Sequence, residues 1–220
     1  MATAIVTGAS MGLGAALARG LLRAGWSVVI DARDGSALAA TAERVRAEAG
    51  AGAQLVALAG DISDPSHRAE LVAAAEALGD LEVVVNNASS LGPTPLPSLT
   101  GYPVDGLAEV LKVNVLAPLA LIQTAAPALQ RAARPRVVNI TSDASVEAYP
   151  GWGGYGASKA ALDHLGAVLA AEEPGWRIWS VDPGDLRTRM QQDAFPGEDI
   201  SDRPSGRVRL SDLVGAGSPR

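Results

Sequence analysis

A short apolar run at residues 2–7 ends in the turn Gly8-Ala9-Ser10-Met11-Gly12-Leu13-Gly14, and an apolar helical pattern through Leu17, Leu21 and Leu22 follows at once. The same alternation returns along the chain. Strand-like runs at residues 27–31, 54–59, 81–85, 136–140 and 177–181 are separated by helical patterns. Six strands alternating with helices predict a parallel sheet with right-handed crossovers, doubly wound, a Rossmann-like α/β fold in a single domain. Ligands of such sheets bind at the carboxyl ends of the strands. The glycine turn, Asn86, Ser142 and Pro183 all fall at such ends.

Composition narrows the chemistry. At 220 residues and 48% apolar content, one domain with an ample core is expected. A formal charge of −6 and a pI near 4.9 argue against general affinity for nucleic acid or anionic membrane, so any phosphate site must be local. The absence of cysteine excludes disulfides, thiolate metal sites and a cysteine nucleophile, and with only His67 and His164 a histidine-rich metal centre is not expected. No cation precedes Arg19, so the charged start of a secretory signal is missing and cytoplasmic residence is expected. The longest uncharged run, residues 113–130, is interrupted by Asn114, Pro118, Gln123, Thr124 and Pro127, which predicts a helix buried in protein and not a membrane span.

Gly8, Gly12 and Gly14 let backbone N–H groups approach a pyrophosphate at a helix N-terminus, where the helix dipole is positive. With the intervening Ser10, Met11 and Leu13 they form the expected cofactor cradle. The same residues also spell G-x-S-x-G, the nucleophile elbow of hydrolases, but that reading needs an earlier strand to supply an oxyanion loop. At the end of the second strand, Asp31 could accept from a ribose hydroxyl, whereas Arg33 could pair with a 2′-phosphate. The helix after it is expected to start near Ser36 as its cap. Asp64-Pro65 is a strong helix start, and His67 in its first turn reads as a solvated residue. Four prolines between residues 91 and 103 predict an irregular loop, followed by one helix over 105–133 in which Asn114 needs buried partners, such as an interhelix hydrogen bond.

Residues 155–159 read YGASK and open a helical pattern that continues through Leu162, Leu165 and Leu169. Four residues apart on a helix, Tyr155 and Lys159 share one face. A free phenol has a pKa near ~10 and moves protons poorly at neutral pH unless a cation favours the phenolate; Lys159 can be that cation. Ser142, at the end of the fifth strand, can reach into the same cleft. Together the three side chains suggest acid/base work on a C–OH or C=O group.

Taken in order, these residues resemble the short-chain dehydrogenase/reductase family over roughly residues 2–190. Residues 7–14 are similar to its TGxxxGxG loop, Asp61-Ile62 to its adenine-contacting pair, Asn86-Asn87-Ala88-Ser89 to its NNAG with serine for glycine, and Pro183-Gly184 with Thr188 to its PGxxxT segment on the nicotinamide side. The resemblance implies a nicotinamide oxidoreductase with the tetrad Asn114, Ser142, Tyr155 and Lys159. Tyr155 is then the general acid in carbonyl reduction and the base in alcohol oxidation. Lys159 would lower its pKa and hold the nicotinamide ribose, Ser142 would bind the substrate oxygen, and Asn114 would kink its helix to position a water. Asn87 and Ala88 join the cofactor contacts.

The resemblance also orders the Asp31 and Arg33 question. The NAD-selecting acid of the family would fall at Ala32, while Arg33 stands where NADP-preferring members carry arginine, so NADP(H) is favoured, with NAD(H) open. Asp31 and Asp34 could repel the 2′-phosphate or occupy Arg33. Family members commonly continue to a seventh strand, and residues 203–220 show none, so residues 1–190 are expected to form the binding and catalytic domain and 191–220 an irregular segment near the substrate pocket. A homodimer through the helices over 105–133 and 155–172 is expected. The substrate should be a small, hydrophobic carbonyl or alcohol, with Trp152 either facing it or packing in the wall. An NADP(H)-binding sensor or scaffold is the alternative, against which the intact tetrad argues; an epimerase or dehydratase would ordinarily need a further substrate domain.

Overall fold

The computed structural model describes residues 1–49 and 54–204. Strand β1 (Ala2–Val6) is buried from Thr3 onward because it pairs in parallel on both sides, with β2 (Ser27–Ala32) through Ala4↔Val28 and with β4 (Asp80–Asn86) through Val6↔Val85. The sheet extends outward to β3 (Leu55–Ala59) beyond β2, and to β5 (Arg136–Ile140) and β6 (Arg177–Val181) beyond β4. All neighbours run parallel in the order β3-β2-β1-β4-β5-β6, so the direction of winding reverses between β1 and β4. The expected α/β architecture is therefore observed.

Both faces of the sheet are covered, which is why its strands read as near-continuous apolar runs. Ala4, Val6, Val28, Ile30 and Val85 face Leu17 and Leu21 of helix α1 (Gly12–Arg23) and Leu38 and Val45 of α2 (Gly35–Ala49). Ile5, Val29, Val84 and Val137 face Leu71 and Ala75 of α3 (Pro65–Leu78) and Leu121, Ala125 and Leu129 of the helix that precedes β5.

Local chemistry explains most helix ends. Asp64 caps α3 by accepting from the backbone N–H of Ser66 at 2.9 Å, with Pro65 in the first turn, as the sequence predicts. Ser36 does not cap α2; the carboxylate two residues earlier, Asp34, accepts from Ala37 N at 3.0 Å. His67 is not solvated either. It is 4% exposed, because α3 turns its first turn toward the sheet and the imidazole lies against β2.

The single helix expected over 105–133 is two helices, α4 (Val104–Leu111) and α5 (Ala117–Arg131), joined without a break by a π-turn at Lys112–Leu116. Asn114 sits at the middle of that turn. Helix α6 (Gly153–Glu172) begins two residues before Tyr155. The boundary expected at 190 falls inside a further helix, α7 (Arg189–Ala194), capped by Thr188, whose hydroxyl accepts from Gln191 N at 3.2 Å. The segment expected to be irregular therefore opens in a helix, because a polar sequence such as RMQQDA shows no apolar period to reveal one. Most of the stretch expected to lack a seventh strand lies outside the described residues. Among the described residues no helix is long and apolar enough to cross a membrane, and no cluster of metal-ligating side chains occurs.

Candidate active site

At the carboxyl ends of the strands, where the winding reverses, lies a cleft of about 980 Å³. Gly8, Ser10, Met11, Gly12, Leu13 and Gly14 line one end, with Arg33, Asp61 and Ile62 beside them. Asn87 and Ala88 form the middle, and Ser142, Tyr155, Lys159, Pro183, Gly184 and Thr188 the other end. Of the expected residues, Asn114 is fully buried behind the wall, and Asn86 turns into the sheet, donating to Asn139 Oδ1 at 2.8 Å; neither reaches the cleft.

The glycines of the turn let it pack closely against the loop after β4. Gly8 has φ +65°, and a Cβ there would come 2.7 Å from Ala88 Cα. A Cβ on Gly14 would come 2.6 Å from Asn87 Nδ2. No side chain caps the start of α1, so its first-turn N–H groups are left for a ligand. Thr7 and Asn87 stitch the parted ends of β1 and β4: the Thr7 hydroxyl donates to Val85 O at 3.2 Å and accepts from the N–H groups of Asn87 and Ala88 at 3.0 Å, while Asn87 Nδ2 donates to Thr7 O at 2.8 Å. Thr41 of α2 donates to Ser10 O at 2.6 Å and holds the loop from outside.

Both acids that could have engaged Arg33 are occupied elsewhere. Asp31 is 1% exposed; one oxygen accepts from Gly8 N at 2.7 Å and the other lies 3.1 Å from His67 Nε2. Asp34 caps α2. Arg33 is exposed at the cleft edge and forms no ion pair among the described residues.

At the opposite end Tyr155 and Lys159 lie one above the other, with the ammonium nitrogen 5.4 Å from the centre of the phenol ring. Lys159 is 2% exposed and donates to Ile140 O at 2.7 Å. Burial pulls its pKa down to about 8, against the opposing influence of Asp163. Tyr155 moves the other way: burial pushes it up to about 12, Ser89 pulls it back, and Asp182 and Asp143 add to the rise. The lowering expected from Lys159 is not found: burial dominates, Ser89 alone pulls the other way, and at neutral pH the phenol carries its proton above a charged amine.

Asn114 is the joint behind this pair. Its Nδ2 donates to Ser158 Oγ and to Ser90 O, each at 2.9 Å, and its Oδ1 accepts from Ser90 N at 2.7 Å and Ser89 Oγ at 3.2 Å. The π-turn carries the amide between the loop after β4 and helix α6, which confirms the interhelix bond. With every side-chain group engaged, the amide itself has no hydrogen bond left for a water. Ser142 caps the turn at Asp143–Ser145, accepting from Ala144 N at 3.2 Å and donating to Asp143 Oδ1 at 3.0 Å.

Trp152 both packs and faces the cleft. Its ring meets Tyr155 edge-on at 5.6 Å and Phe195 at 5.8 Å, beside Leu91, Leu96 and Met190. Sequence reasoning passed over Met190 and Phe195 because α7 was not visible, and over Ser89 because it stands where a glycine was expected. The pairing of Asp31 with His67 was likewise not foreseen, since Asp31 reads as a ribose ligand, a group repelling the 2′-phosphate or a partner of Arg33. Gly60 was its available signal: a Cβ there would overlap the His67 ring, so the glycine marks a close neighbour.

The model of the family described as short chain dehydrogenase matches residues 2–199. The rhamnolipids biosynthesis 3-oxoacyl-(acyl-carrier-protein) reductase of Pseudomonas aeruginosa is 38% identical over 198 residues, covering 85% of this chain and 73% of that one. Sepiapterin reductase of Rattus norvegicus is 35% identical over 229 residues, covering 98% and 85%. The crystal structure of a short chain dehydrogenase from Shigella flexneri, complexed with NADP, superposes with a TM-score of 0.84 at 28% identity, over 93% of this chain and 86% of that one.

The Thr7 stitch supports a test of the cradle. Thr7→Val keeps the shape and removes the acceptor for Ala88 N, so stability should fall by about 1–3 kcal/mol in urea titrations. Nucleotide binding should weaken in the same protein, and unchanged values of both would mean that the stitch does not shape the cleft.

Proposed function

The chain belongs to the short-chain dehydrogenase family of oxidoreductases, and within it we propose a reductase that uses NADPH to convert a small hydrophobic aldehyde or ketone to its alcohol, the reverse oxidation following the same path. The observation that carries this reading is a proton-bearing Tyr155 above the buried Lys159, across one cleft from an uncapped glycine turn.

The cleft fits a dinucleotide. The free N–H groups at the start of α1 suit the charge of a pyrophosphate, and the positive φ of Gly8 and Gly12 shapes the turn beside them. Gly8 to Gly14 would hold the pyrophosphate, Asp61 and Ile62 the adenine, Arg33 the 2′-phosphate, Asn87 and Ala88 the middle, Lys159 the nicotinamide ribose, and Pro183, Gly184 and Thr188 the nicotinamide side. When bound, the nicotinamide supplies the hydride that the carbonyl carbon takes up.

The chain's own residues manage the proton and the substrate. Ser142 orients the substrate oxygen with its hydroxyl, and Tyr155 gives that oxygen its phenolic proton. The phenolate left behind sits over the Lys159 ammonium, which compensates it in a site with little water. Asn114 positions both by holding Ser158 one residue before the lysine. Trp152, Phe195, Met190 and Leu91 give the substrate an apolar wall, which favours a hydrophobic carbonyl compound. A nucleotide sensor without turnover would have no use for a phenol set above the buried amine.

Val104 at the start of α4, Leu116 at the end of the π-turn and Val168 on α6 are exposed, and a homodimer through these helices would cover them. Light scattering should return about twice the chain mass; a monomer at micromolar concentration contradicts this.

Tyr155→Phe keeps the ring and deletes the proton, so turnover should fall ~10²–10⁴-fold with nucleotide affinity preserved. Near-normal turnover on any carbonyl compound found by absorbance screening would rule out the role given to the phenol. Arg33→Ala should weaken NADPH on the order of tenfold or more while leaving NADH nearly unchanged, since a guanidinium pairs with a phosphate and has no such partner in a hydroxyl. Equal weakening of both would remove the basis for the NADPH preference.

A further inference from the structure

An acid at the end of the second strand is where a ribose hydroxyl would be recognised, and Asp31 is such an acid at the edge of the cleft. Yet its side chain is spent inward. One oxygen accepts from Gly8 N, and the other accepts from His67 Nε2, which must be the donor because an ionised carboxylate has no hydrogen to give. The two partners come from different directions: Gly8 from the turn after β1, His67 from the first turn of α3 on the far side of the sheet's edge. Strand parity makes this possible, since Asp31 shares the face of Val29, which packs against α3.

We propose that His67 is a positioning residue for nucleotide selection: it holds the Asp31 carboxylate beneath the glycine turn, away from the adenosine ribose, so that Arg33 alone reads that end of the cleft. This rests on the reading of the cleft as an NADPH site. A buried carboxylate held by one backbone N–H alone is an uncompensated charge, and turning toward the cleft is its way to water. There it would accept from a 2′-hydroxyl and repel a 2′-phosphate. His67 removes the reason to turn. The space for the imidazole is reserved by Gly60, where any side chain would overlap it. Consistent with an ionic contact, Asp31 raises the His67 pKa by its hydrogen bond, with burial opposing and Asp64 and Glu70 of the same helix start adding to the rise.

The test is direct titration of NADPH and NADH into the full chain, read by fluorescence, with circular dichroism to confirm folding. Wild type alone tests the NADPH reading; the change in the NADPH-to-NADH affinity ratio tests the role of His67 whatever the starting ratio. His67→Ala should move the ratio toward NADH by about tenfold, the effect of one unscreened charge at short range. Asp31→Asn should leave the ratio within about twofold of wild type, because the acid does not touch the ribose while His67 holds it, and Asp31→Asn combined with His67→Ala should restore the wild-type ratio. Should His67→Ala fail to fold, His67→Asn, too short to reach Asp31, carries the same expectation. The proposal is overturned if loss of His67 weakens both nucleotides by one factor, if the ratio shifts as far in the Asp31→Asn background, or if Asp31→Asn alone selectively weakens NADH.

Discussion

A fully desolvated ammonium is expensive, and one end of the cleft is arranged around one. Among the described residues Lys159 has a single hydrogen bond, to the Ile140 carbonyl at the end of β5, and burial, against Asp163, brings its pKa to about 8. A neutral apolar side chain of similar size would pack there at lower cost. What it faces is the Tyr155 ring, whose own burial holds the proton on the oxygen. Burial therefore acts on the two groups in opposite directions and leaves a neutral acid over a cation, the arrangement required to give up a proton and keep the resulting anion.

Two stitches hold the halves of the cleft apart at a fixed width. Thr7 and Asn87 join the ends of β1 and β4 where the winding reverses, and Asn114 joins the loop after β4 to the helix that carries the acid and the amine. The first bonds side chains to backbone; the second bonds the Asn114 amide to the backbone of Ser90 and to the Ser158 hydroxyl, which itself donates to Tyr155 O. The π-turn at Lys112–Leu116 belongs to the second stitch: the wider turn carries the Asn114 amide inward between two elements.

The strands were legible because both faces of a parallel sheet are buried and the runs are apolar throughout; the expected bounds of β5 and β6 agree with those observed. The cleft residues were legible because glycine spacing and strand ends are local properties of the chain. Pairings across the fold were not. His67 and Asp31 lie 36 positions apart, and nothing near His67 in the chain marks it as buried. The π-turn hides in a pattern that a continuous helix satisfies equally well. Helix α7 is short and polar, with Met190, Ala194 and the following Phe195 as its apolar contribution to the wall of the cleft. The direction of the Tyr155 shift depended on how deeply the phenol is buried, a quantity no spacing contains.

The buried acid and amine are most directly measured through the pH dependence of kcat/KM for NADPH-dependent carbonyl reduction, from about pH 6 to pH 10. With Tyr155 holding its proton throughout and Lys159 losing its charge near 8, the rate should be level through neutrality and fall above about pH 8 on loss of one proton. A rate that rises through that range, or stays level to pH 10, would contradict a charged Lys159 beneath a proton-donating Tyr155.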